Sequence, residues 1–229
     1  MEIPEIHGYA DFCHALRGAG FSMGGSADEG VFSLASRFGP EIRSHTGDAE
    51  TDPWVWRVRA PQECGDLLYG KFFLQKGGWI ARDWLPDFLA VRQNGRDFAD
   101  FYAAGEAGRW EKRIYEVLSA AGPLPLHLLK QESGCGKADA SAFSRALVRL
   151  QGRFFLIPRG ESRKLSKNGT PYGWPVTVYD LPERVFGEDI CGLGGEISPR
   201  EAAARIAGRI LELNPAAKDR DIRRFLAVI

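Results

Sequence analysis

Apolar positions change their period along the chain, and the changes mark its elements. Residues 5–18 repeat with helical spacing. The stretch "GFSMGGSADEGVFSLASRFGP" opens with Gly20, Gly24, Gly25 and Gly30, which predict a loop before a short helix near 28–38. "DPWVWRVRA" alternates and is rich in Trp and Val, so a strand is expected at 52–60. "YGKFFLQKGGWIAR" has two short apolar runs joined at Lys76-Gly77-Gly78, a hairpin signal. "DWLPDFLAVRQNG" is helical and stops at Asn94-Gly95.

A second unit starts near 106. "GRWEKRIYEVLSAAG" places Trp110, Ile114, Val117 and Leu118 on one helical face, and Gly122-Pro123 ends it. "LPLHLLKQESG" is a short helix with Pro125 in its first turn. Asp139 is the expected N-cap of a third helix, with Phe143, Ala146, Leu147 and Leu150 at i, i+3, i+4 and i+7. Gly152 breaks it. "RFFLIP" and "WPVTVYDL" are expected strands joined by a loop at 159–173, in which Asn168-Gly169-Thr170 supplies turn chemistry. Helix, short helix, helix and hairpin is the order of a winged helix-turn-helix. Ser198-Pro199-Arg200-Glu201 forms a capping-box signal for a helix to about residue 213, and a short helix follows. The fold class is therefore α+β: an N-terminal α/β region at 1–105, a winged helix-turn-helix at 106–186 and a C-terminal helical segment at 187–229.

Composition narrows the function classes. At 229 residues and 44% hydrophobic content the chain can bury a proper core. No run of 18 apolar residues predicts a membrane helix. The acidic start "MEIPEIHGYADF" lacks the apolar centre of a secretory signal, so a cytoplasmic location is expected. Cys13, Cys64, Cys135 and Cys191 are far apart and form no CxxC pair, which predicts reduced thiols. Cys13-His14 is too local a pair to chelate one ion, so no metal site is expected, and nothing calls for a cofactor.

Net charge is zero but unevenly spread. Residues 137–174 hold eight basic and two acidic side chains, a net +6, whereas residues 1–60 hold five and nine, a net −4. A balanced chain with one positive stretch points to a localised anionic partner. The outer face of the third helix offers Ser141, Ser144, Arg145 and Arg149, and the hairpin offers Arg159, Arg163, Lys164 and Lys167. Ser144, Arg145 and Arg149 would face a DNA groove, with Arg163, Lys164 and Lys167 at the wing. The alternative is a protein-interaction or structural module, in which the N-terminal region covers the third helix.

A second constellation lies at 28–56. Asp28 and Glu29 are candidate catalytic carboxylates, and Trp54 and Trp56 are candidate stacking partners for an extruded base. The plainer alternative makes both tryptophans core and "GDAETD" a solvated turn. "SMGGSADEG" lacks the lysine spacing of a phosphate loop.

"VYDLPERVFG", with Tyr179, Asp180, Leu181, Glu183 and Arg184, resembles the segment after the wing in AlkZ-type proteins, winged-helix DNA glycosylases that remove alkylated or crosslinked bases. Residues 109–151 resemble that family's winged unit, and "EISPREAAARIAGRIL" resembles the helix that follows. "FSMGGSADEGVFSLASRFGP" distantly resembles its N-terminal motif region. The resemblance, to the AlkZ-related bacterial proteins, implies DNA as partner and a role in DNA repair. The glycosylases carry Gln-apolar-Gln or Gln-apolar-Asp; the nearest equivalent here is Ser26-Ala27-Asp28-Glu29, with neither glutamine. Asp28 falls at the final Asp of the variant motif, and the resemblance leaves open whether the chain excises bases.

Overall fold

The computed structural model describes residues 3–166 and 168–227. Helix α1 (Tyr9–Ala19) buries Phe12, Cys13, Leu16 and Ala19, and Gly20, at φ 90°, turns the chain into strand β1 (Phe21–Met23). A 3-10 turn at Leu34–Arg37 replaces the helix expected near 28–38.

Residues 53–64 form helix α2 (Pro53–Cys64), not the strand expected at 52–60. Asp52 decides this. Its buried carboxylate accepts from the amides of His45 (3.0 Å), Gly47 (2.8 Å) and Trp54 (2.8 Å), and Pro53 presets the first turn. Burial pushes the Asp52 carboxyl up, but these amides outweigh it and hold it below the usual carboxylate range. Asp52 is thus an N-cap, not part of a solvated turn. The inward positions Asp52, Trp56 and Ala60 lie one helical turn apart, and the alternation of Trp54 to Arg59 has no sheet to serve.

Strands β2 (Leu67–Phe73) and β3 (Lys76–Ala81) pair antiparallel, with β1 on the other edge of β3. Their turn is Leu74-Gln75, with φ of 53° and 61°, and not Lys76-Gly77-Gly78. That is the left-handed pair of a two-residue hairpin loop. Glycine is required at 77 and 78 for packing instead: a β-carbon there would strike the Tyr69 hydroxyl and the Phe73 ring. Helix α3 (Leu85–Gln93) ends on Asn94 in the left-handed conformation, as the sequence predicts, and α4 (Phe98–Ala103) follows.

The next elements are α5 (Arg109–Ala121), β4 (Leu124–Pro125), α6 (Leu126–Glu132), α7 (Ala140–Gly152), β5 (Ile157–Leu165) and β6 (Pro171–Asp180). They enclose a second core of Ile114, Leu118, Leu129, Phe143, Leu150 and Phe155, and form a sheet in the order β4-β6-β5. Asp139 ends a 3-10 turn ahead of α7 and makes no side-chain cap. "RFFLIP" is not all strand. Phe154 sits at φ 57° with its ring stacked on Phe72 at 4.9 Å, in the first core, while Phe155 and Leu156 enter the second. The positive φ at Phe154, and two successive side chains turned to one core, break the alternation that a strand requires. The hairpin in turn takes up most of the loop expected at 159–173. Its outer half, Pro171–Pro175 on β6, is exposed on both faces, so no buried face imprints an alternation on the sequence.

Helices α8 (Pro182–Phe186), α9 (Glu188–Glu196), α10 (Pro199–Leu213) and α11 (Asp219–Leu226) bring the chain back. Pro199 occupies the first turn of α10, but Ser198 makes no capping bond. Ile206, Ile210, Ile222 and Phe225 complete the first core, where Phe225 stacks on Phe73 at 4.2 Å. Buried Arg92 donates to the carbonyls of Phe225 (2.7 Å) and Ala227 at the C-terminal, negative end of α11. Burial lowers the Arg92 pKa to about 10. Among the described residues, no helix is long and apolar enough to cross a membrane.

Candidate nucleic-acid interface

Helix α7 is held by Phe143, Ala146, Leu147 and Leu150, which are buried, and it presents Ser141, Ser144, Arg145 and Arg149 to solvent. Its outer face is therefore open. The Ser144 hydroxyl donates back to the Ala140 carbonyl (2.8 Å), and the Arg145 guanidinium donates to the Ser141 hydroxyl (2.7 Å). Gln75, at the β2–β3 turn, joins these residues and Val148 around a shallow depression of about 490 Å³. No local sequence signal places Gln75 there; only the packing of β2 on α7 does.

The eight basic groups of 137–174 are not equivalent. Arg149 pairs with the buried Glu111 carboxylate (3.0 Å) and donates to the Glu106 carbonyl (3.1 Å), which Arg153 also binds (2.8 Å). Arg159 pairs with fully buried Asp180 (2.9 Å), which Arg184 holds from its other oxygen (3.0 Å). Lys137, Arg145, Arg163 and Lys164 are exposed and have no acidic partner among the described residues. Lys167 lies outside the described residues.

The acids Asp28 and Glu29 sit in a loop docked on the β2–β3 hairpin. The Gly24 amide donates to the Gly77 carbonyl (2.9 Å), and a β-carbon at Gly24 would press on Gly77. Asp28 is exposed and its carboxylate accepts the Gly30 amide (2.9 Å). Glu29, at φ 54°, is largely buried, and its carboxylate meets Lys76 and Arg224 (3.7 Å). The two adjacent carboxylates thus have different surroundings.

Gly77 also lines a cleft of about 200 Å³ between α2, the β2–β3 hairpin and the base of the β5–β6 arm. Tyr69, Gln151, Glu161 and Tyr179 line it, and the Arg57–Glu161 pair (3.1 Å) spans it from α2 to β5. Trp54, 49% exposed, stands at this cleft with the Arg57 guanidinium 3.9 Å above its ring. Trp56 does not share that role: it is 0% exposed and stacks on Phe12 at 4.9 Å, so no base can reach its ring. A shared strand face would have put both tryptophans in the core; the helix points them apart, so only Trp56 is core.

No group of three or more His, Cys, Asp or Glu side chains suited to a metal occurs among the described residues. Cys13 faces Cys64 at 3.8 Å between sulfurs, burial pushes its thiol up to about 12, and neighbouring His14 points to solvent.

No curated protein and no solved structure matches the chain. A family model described as AlkZ related matches residues 6–227, covering both cores, the arm and the returning helices. On that match, over nearly its whole length, the chain belongs to the AlkZ-related family.

Proposed function

We propose that this AlkZ-related protein binds DNA, with α5, α6, α7 and the β5–β6 arm working as a winged helix-turn-helix. Helix α7 lies along a groove with Ser144 and Arg145 foremost, Arg145 reaching a phosphate at the groove's rim, while Lys137 ahead of α7 and Arg163 and Lys164 on the arm meet the phosphate backbone. The observation that carries the reading is the open outer face of α7. A protein-interaction module whose third helix is covered by the N-terminal region would bury Arg145, which is exposed. Arg149, half exposed and tied to Glu111, contributes less to binding than Arg145.

Combined replacement Arg145→Ala, Arg163→Ala and Lys164→Ala is expected to weaken binding to unrelated duplexes alike, because these are phosphate contacts. Filter binding at low salt checks this. Retention of parental affinity by the triple variant would remove the reading.

A second reading is base excision: Glu29 reaches the neighbourhood of the Trp54 cleft through Lys76, whose neighbour Gly77 lines it, whereas Asp28 lines a separate depression with Ser36, Arg37 and Asn214. In it a carboxylate of Asp28 or Glu29 orients water or stabilises an oxocarbenium-like sugar while Trp54 stacks on the extruded base. Release of free base from alkylated duplex DNA, lost in Asp28→Asn and Glu29→Gln, is the expected result. No release by the parent on several lesions would end it.

A further inference from the structure

The most exposed large apolar side chain of the described residues is Trp174, at 89%, on the outer half of the β5–β6 arm. Tyr172, two residues away on the same strand, is 51% exposed. Two large aromatics two residues apart on one projecting ribbon are not a singly scattered apolar residue, and such a grouped exposure marks an interaction surface. Its setting is built. Strand register passes from Ser162 opposite Val176 to Lys164 opposite Tyr172, so Arg163 alone faces Gly173, Trp174 and Pro175. That bulge re-aims the strand. Gly173, at φ 74°, takes the left-handed conformation that the bulge needs, and Pro175 removes a ladder donor on the other side of the tryptophan. The extra residues push Trp174 out of the sheet.

Charge selects the partner. From Ser162 to Tyr179 there is no acidic residue, while Arg163, Lys164 and Lys167 lie in that span. An aromatic ring beside cations on a projecting ribbon matches a polyanion with stacked, flat bases.

We infer that Trp174 is a wedge that inserts its indole between base steps of duplex DNA, with Tyr172 beside it and Arg163 and Lys164 holding the flanking phosphates. The inference rests on the DNA-binding reading and adds a stacking contact to it. It assigns to the arm a local unstacking of the duplex, distinct from the groove contact of α7.

The test titrates the full chain at low salt into a short duplex carrying 2-aminopurine at a central step, whose fluorescence rises on unstacking. The parent is expected to raise the signal. Trp174→Ala is expected to abolish the rise and weaken binding roughly tenfold to a hundredfold, and Trp174→Phe to keep most of both. Because the side chain is solvent-exposed, the fold should survive the change, which circular dichroism verifies. Equal affinity and equal signal for Trp174→Ala would overturn the wedge while leaving DNA binding by α7 in place. Absence of duplex binding by the parent would remove both. Self-association of the parent in sedimentation, lost in Trp174→Ala, would identify the arm as a protein contact and overturn the wedge as well.

Discussion

Trp56→Ala is expected to destabilise the fold by about 4 kcal/mol, and Trp54→Ala by less than about 1 kcal/mol. The two residues are two positions apart, yet their surroundings have little in common. Trp56 is fully buried among Phe12 (4.9 Å between ring centres), Phe38 (5.8 Å) and Tyr9 (6.3 Å), and its indole donates to the Ala49 carbonyl (3.1 Å). Truncation leaves a large cavity in the first core, while the Ala49 carbonyl keeps the Arg59 guanidinium as a donor (2.9 Å). Trp54 is half exposed, touching the His45 ring (4.8 Å) and Arg57. Its loss removes a surface contact and opens the cleft. Urea denaturation of both variants checks the contrast. Similar midpoints for the two would contradict the helical placement of α2.

Asp180→Ala carries the second large effect, expected at about 2–3 kcal/mol, because a buried carboxylate that accepts three hydrogen bonds is lost while the two arginines left behind keep access to water. Asp180 is fully buried, and its carboxylate accepts from Arg159, Arg184 and the Leu181 amide (2.9 Å). Arg184 also donates to the carbonyls of Leu118 (2.8 Å) and Ser119 (2.7 Å), at the C-terminal end of α5. Removing the carboxylate leaves Arg184 without its anion and unfastens the base of the arm from α5. Arg159→Ala should cost under about 1 kcal/mol, because Arg159 is half exposed. Thermal unfolding tests both. On the DNA-binding proposal, Asp180→Ala should also weaken duplex binding at temperatures where the fold persists, since it frees the arm's angle to α7. A cost below that of Arg159→Ala would contradict the role given to this cluster. The motif "YDLPER" therefore has a physical account here: Asp180 and Arg184 lock the arm to the helices.

The helices of the second unit were legible because their apolar residues repeat at helical spacing and end on Gly122 and Gly152. Asn94-Gly95 likewise marked a true helix end. Helix α2 was misread because Trp54 to Arg59 alternates, while the stronger local signal, an Asp cap followed by proline, stood just before it. The β2–β3 turn was misplaced because Gly77 and Gly78 are glycines on account of Tyr69 and Phe73, ring contacts that no local pattern reveals. The arm's length was hidden because its outer half buries nothing on either face. The basic excess pointed to α7 and the arm, but the sequence could not say which cations are spent on Glu111 and Asp180, since those partners lie in other elements. Gln75, Tyr69 and Glu161 entered the site only through the packing of distant elements.

The central claim is that Lys137, Arg145, Arg163 and Lys164 neutralise phosphates on an open face, and the salt dependence of duplex binding tests it most directly. The logarithm of the binding constant of the full chain, plotted against the logarithm of salt concentration, should fall with a slope of roughly −3 to −4, about 0.9 per phosphate contact. The triple variant at Arg145, Arg163 and Lys164 should bring that slope close to about −1. A flat plot for the parent, or no binding at low salt, would contradict the account.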